Sequence, residues 1–147
     1  MKWNTASKIF VGAMALAIDT ASTQAHDIKH KALQIVHPWA HETKDTVAAD
    51  VYMTIRNRGR VADRLVSVST VRAHQVQLVP VAPNAFTVGP GQENKLTRER
   101  GFVRLLGLTK PIYLHDNFPI TLVFEKAGKI QVEVHIEEES IAEPHKH

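Results

Sequence analysis

Apolar and polar residues alternate with a period of two over most of the chain, the pattern of strands that bury one face and wet the other. The clearest stretch is Phe118, Ile120, Leu122 and Phe124, followed after Glu125-Lys126-Ala127-Gly128-Lys129 by Ile130, Val132, Val134 and Ile136. Two such runs across a short glycine-containing segment predict a β-hairpin with one buried face. Earlier runs predict strands at 32–36, 46–57, 62–69, 76–81 and 102–106, separated by turn residues such as Asn57-Arg58-Gly59 and Gly89-Pro90-Gly91. The stretch 89–100 reads as a long mobile loop or an edge hairpin. With no convincing amphipathic helix in the series, about seven short strands at this spacing predict an all-β, antiparallel sandwich.

The first residues do not share the alternation. Lys2 and Lys8 accompany an apolar run at 9–18, and Thr23-Gln24-Ala25 places small residues where a signal peptidase reads them. Residues 1–25 are therefore expected to be a signal peptide, leaving a single exported domain, 26–147, that begins at His26 and ends in a polar tail from about 139. The apolar run is too short to span a bilayer. The alternative, an anchored N-terminal helix, is opposed by Asp19 and the polar residues behind it, which end the run early. No other stretch is apolar enough for a membrane span.

Charge and composition narrow the function further. A net charge of +3 on 147 residues, with basic and acidic side chains interspersed, does not make a nucleic-acid surface. Cysteine is absent, which excludes disulfides, thiolate metal sites and cysteine nucleophiles. No Gly-x-Ser-x-Gly elbow, phosphate-binding glycine loop or His-Glu-x-x-His pair occurs, so the chain is not expected to be an enzyme.

Histidine is the residue in excess, with nine in the chain. Neutral imidazole is a common ligand for Cu(II), Zn(II) and Ni(II), which makes metal binding the better use of these residues. His26 differs from the rest. As a first residue it offers an α-amine and an imidazole nitrogen together, and with one further imidazole it completes the nearly T-shaped three-nitrogen set called a histidine brace, which suits Cu(II). His30, close in sequence, His41, and His74, just before the strand at 76–81, are candidates for that third nitrogen. At about 3.3 Å per residue the strand at 32–36 would carry His37 and His41 away from His26, unless the N-terminus folds back. His135 shares the polar face of its strand with Gln131, Glu133 and Glu137 and reads as a solvated residue. His115 belongs to a turn, and His145 and His147 to the tail. His37, before Pro38-Trp39, is as readily structural as ligating. Met53 alternates with Val51 and Ile55 and reads as core.

Several segments in order, Val36-His37-Pro38-Trp39-Ala40, Ala48-Ala49-Asp50-Val51-Tyr52-Met53-Thr54-Ile55-Arg56-Asn57, Ala62-Asp63-Arg64-Leu65-Val66-Ser67-Val68-Ser69, Leu105-Leu106-Gly107-Leu108 and the run from Phe118 to Gly128, resemble the periplasmic copper chaperone family called PCu(A)C. The resemblance covers about 32–137. It implies a cupredoxin-like Greek-key β-sandwich in the periplasm that binds copper and passes it to a copper enzyme. The family's His-x-Met ligand pairs fall here on Val79-Pro80-Val81 and Phe102-Val103-Arg104, which supply no imidazole and no thioether. Some relatives associated with methane-oxidising bacteria have likewise lost that site and use a histidine brace, which suits His26. The leading expectation is thus a copper-binding protein or chaperone holding Cu(II), with a copper ion, a recipient copper enzyme and a second copy of the chain in a homodimer as its partners. The alternative is a family member that no longer binds copper and acts as a structural or interaction module. A brace-bearing oxidative enzyme would need an exposed copper face with substrate-binding aromatics, of which the chain has few.

Overall fold

The computed structural model describes residues 32–139, so the signal-peptide expectation, His26, His30 and the tail histidines His145 and His147 lie outside the described residues. Nine strands follow one another: β1 (Leu33–His41), β2 (Ala48–Asn57), β3 (Asp63–Ser69), β4 (Ala73–Pro80), β5 (Thr87–Val88), β6 (Glu93–Leu96), β7 (Gly101–Leu108), β8 (Phe118–Phe124) and β9 (Gly128–Glu137). They hydrogen-bond in the order β4-β7-β2-β1-β9-β8-β3-β5, with β6 added to β2. The path curls until β3 and β4 meet, so its two halves enclose one core as a sandwich does. Among the described residues, no helix is long and apolar enough to cross a membrane.

The predicted alternation becomes the inner face. From one half come Val51, Ile55, Val103 and Leu105; from the other come Leu65, Ile120, Leu122, Phe124 and Val134, all essentially inaccessible to solvent. The β8–β9 hairpin forms in the expected register, with Ile120 opposite Val132 and Leu122 opposite Ile130. Met53 belongs to the buried core.

Three features depart from the sequence reading. The sheet is mixed rather than antiparallel throughout: β1 and β9 run parallel, pairing Trp39 with His135 and His41 with Glu137. Parallel neighbours need a long crossover, and here the whole intervening domain supplies it. The stretch 89–100 is structured. Glu93–Leu96 pairs with β2, and the buried Asn94 fastens this strand by donating from Nδ2 to the carbonyls of Ala85 and Thr87. Finally, the first strand does not end at Val36. It continues through Pro38 to His41 by way of a bulge, in which His37 and Pro38 together stand opposite Met53 of β2. Proline cannot donate to a ladder, so a pattern reader ends the strand there, yet a bulge leaves that position without a bonding demand.

Candidate metal centre

The bulge in β1 re-aims the side chains that follow it. Ala40 turns into the core, while Trp39 and His41 point to the outer face of the sheet. His37 adopts φ of 48°, a left-handed conformation uncommon for any residue with a side chain and costing roughly 1 kcal/mol or more. Its imidazole Nε2 lies 2.5 Å from Oε1 of Glu137 on β9.

Around the bulge the outer face is aromatic. Trp39 packs edge-on against His41 with ring centroids 4.9 Å apart, stacks more loosely on His37 at 6.5 Å, and meets Tyr52 of β2 at 4.9 Å. Tyr52 in turn meets Phe102 of β7 at 5.9 Å. Tyr52 occupies an outward position yet is only 6 % exposed, because these rings roof it over. Beside this row Arg104 makes a two-pronged pair with Asp50, at 2.8 and 3.1 Å, and lies over the Phe102 ring. The hydrogen bond and charge of Asp50 raise the Arg104 guanidinium above its ordinary value.

The end of β6, paired beside β2, and the residues that follow it bound a cleft of about 570 Å³ on this face, lined by His37, Trp39, His41, Tyr52 and Met53 on one side and by Lys95 to Glu99 on the other. Such a volume suits a small ligand or the docking of a short segment. Arg98, on the wall, is held above its ordinary value first by the neighbouring Tyr52 hydroxyl. Within the cleft His41 has a Nδ1 atom that is sealed from solvent and has no hydrogen-bond partner.

The described candidates do not converge. His41 lines the cleft. His74 is the second residue of β4, three places away along the sheet, roughly 14 Å at the usual strand spacing. It is exposed, between Ala73, which packs on the core as Val76 and Leu78 do, and the exposed Gln75. The imidazole of His74 rests over Gly107, whose φ of 62° and missing Cβ leave it room. Among the described residues, no three His, Asp or Glu side chains stand close enough to hold a metal ion by themselves. His135 is exposed, as its alternation predicts, and its Nδ1 lies 3.3 Å from the amide of Asn117. The aromatic row, the conformation of His37 and its contact with Glu137 were not read from the sequence; the signal available was a His-Pro pair inside an otherwise strand-like run.

Comparison with known proteins agrees with this architecture. No curated protein matches the chain. Among solved structures, the apo PCuAC domain from PmoF1 is 29% identical with a TM-score of 0.68, over 74% of this chain and 95% of that one. The copper-bound PCuAC domain from PmoF2 is 26% identical with a TM-score of 0.66, over 74% and 94% of the two chains. The Cu(I) form of DR1885 from Deinococcus radiodurans, at 19% identity, a TM-score of 0.58 and coverage of 74% and 78%, shares the fold. The family model described as "Putative lipoprotein LpqE-like" matches residues 33–136, nearly every residue from β1 to β9, and the chain belongs to that LpqE-like family.

Proposed function

We propose that this protein is an exported copper-binding domain of the chaperone type, not an enzyme, that carries Cu(II) between partners outside the cytoplasm. The likeness to the PmoF1 and copper-bound PmoF2 domains supports copper as the cargo. The lipoprotein family and the absence of a membrane-crossing helix among the described residues fit a periplasmic or extracellular place. Copper is held by the α-amine and imidazole of His26 together with one further imidazole. The single observation that carries this form of the site is the donor inventory: among the described residues no group of three metal-binding side chains exists, so a donor set needs nitrogen from elsewhere, and a first-residue histidine brings two.

His30, His41 and His74 are the imidazoles proposed on sequence grounds. Of the two inside the described residues, His41 lies in the cleft and His74 is exposed on β4, three strands away. At the positions that correspond to the family's His-x-Met ligands, Val79 pairs with Phe102, and Arg104 is engaged by Asp50. These side chains offer copper neither imidazole nor thioether.

The test is Cu(II) titration of protein whose first residue is verified as His26, beside the same protein with one glycine placed before it. The brace predicts tight binding that weakens sharply on extension, because the amine then moves out of its chelate ring. Equal binding by the two proteins refutes it. A second reading, an interaction module without copper, is favoured by the loss of the His-x-Met positions, and equilibrium dialysis that finds no bound copper on the native N-terminus would establish it.

A further inference from the structure

We infer that two copies of this chain associate edge to edge through β4, antiparallel and centred on Val76, to form a symmetric dimer that needs no copper. β4 ends the strand path, and among the described residues nothing pairs with its second edge. β3, which the curl brings towards it, forms no ladder with it, and a groove of about 380 Å³, lined by Val66, Leu78 and Pro80 among others, lies between the two. An open edge offers a row of free N–H and C=O groups to any strand that comes alongside. Proteins that stay single guard such edges with lysines, bulges, prolines or very short strands. β4 lacks these guards along its length. Its eight residues, Ala73 to Pro80, include no charged side chain, and its one proline is the last of them. Its register against β7 runs from Ala73 opposite Leu108 to Pro80 opposite Gly101 without a shift.

The partner is a second copy because the strand is complementary to itself. With a two-fold axis at Val76, Gln75 faces the partner's Gln77 and Gln77 the partner's Gln75. Both are exposed, and their amides can donate and accept across the seam. Ala73 then faces the partner's Val79, and His74 the partner's Leu78. No like charges meet along the strand. The exposed apolar surface has the same symmetry. Val71 and Val81 flank β4, each five residues from Val76, and are 82% and 54% exposed. Antiparallel pairing brings Val71 of one copy to the end where the partner's Val81 lies. With Val66 of β3 they make up half of the six large apolar side chains left exposed among the described residues. A single exposed valine needs no explanation, whereas three beside one unguarded edge mark a contact surface. The axis of such a dimer is normal to the sheet, so both copies turn the same outer face to one side. Their clefts then stand roughly 34 Å apart at the usual strand spacing. A seam one strand wide lies at the small end of specific interfaces, so association in the micromolar range is expected.

The experiment follows the native chain, free of metal, by sedimentation velocity across the micromolar range, with circular dichroism and thermal melting to verify folding. The native chain should pass from monomer to dimer as its concentration rises. Gln75→Lys combined with Gln77→Lys, both at exposed positions, should fold as the native protein does and associate about tenfold or more weakly, because like charges then face each other across the seam. High salt should bring that variant back toward native association. Gln75→Lys combined with Gln77→Glu should recover native association or exceed it, since each new cation then faces an anion. A parallel pairing would bring like charges together in both double variants, so only the antiparallel register predicts the contrast. A native chain that remains monomeric throughout the range, or a double-lysine variant that associates as the native chain does, overturns the interface. Equal loss of association in the two double variants overturns the register centred on Val76, and the assignment with it.

Discussion

Replacing Asp63 by Asn should unfold this domain far more readily than its single-atom change suggests. Asp63 opens β3, is 7% exposed, and its carboxylate ties that strand to the β8–β9 turn. Oδ1 accepts the backbone N–H groups of Arg64 at 2.8 Å and Lys126 at 2.9 Å, and Oδ2 accepts that of Ala127 at 2.9 Å. An asparagine that keeps its oxygen toward Arg64 and Lys126 must aim its NH₂ at the buried Ala127 N–H, donor against donor. The lost bond to a charged acceptor costs about 1.5–3 kcal/mol and the orphaned N–H about 1–3 kcal/mol more, so a total near 3 kcal/mol is expected. For a domain of this size that corresponds to a fall in Tm of roughly 10 °C. The assay is urea unfolding with an unchanged m-value, with thermal melting as a check. Glu125→Gln is the internal control, since it breaks a nearby but exposed pair with Arg64 at 3.3 Å and should cost no more than about 1 kcal/mol. If Asp63→Asn and Glu125→Gln destabilise equally, the reasoning about the carboxylate is wrong.

Gly101→Ala should cost about 2 kcal/mol or more by the same assay, because Gly101 has φ of 157° and a Cβ there would lie 2.7 Å from that of Ala85. A double-mutant cycle on Asp50 and Arg104 should give a coupling of about 0.5–1 kcal/mol that shrinks in high salt, since the Arg104 side chain is 40% exposed despite its two-pronged geometry. Leu105→Ala, which empties a fully buried position between the two halves of the sandwich, should cost about 3 kcal/mol by equilibrium denaturation. Cu(II) titration should quench the fluorescence of Trp39 and saturate at equimolar metal, because that ring stacks on His37 and meets His41 edge-on; unchanged emission on a protein shown to hold copper would place the metal away from the cleft.

What the sequence determined by itself was the inner face of the fold. Burial follows local alternation, and residues such as Ile120, Leu122 and Val134 announce their facing through their immediate neighbours, whatever lies across the sheet. The same holds for the turn at Asn57-Arg58-Gly59, where Oδ1 of Asn57 accepts the Gly59 N–H, a bond closed within three residues. The histidine surplus and the His26 hypothesis were also legible, since they require only residue identity and chemistry. Tertiary structure decided everything that depends on distant partners. The parallel pairing of β1 with β9 joins residues about a hundred positions apart, and it alone brings Glu137 to His37. The bulge at His37-Pro38 hides a strand from a period-two reading, because one inserted residue reverses the facing of all that follow. His74 looked as eligible as His41 for the same reason: alternation tells which face a side chain takes within its own strand, but only the strand order tells how far apart two such faces lie.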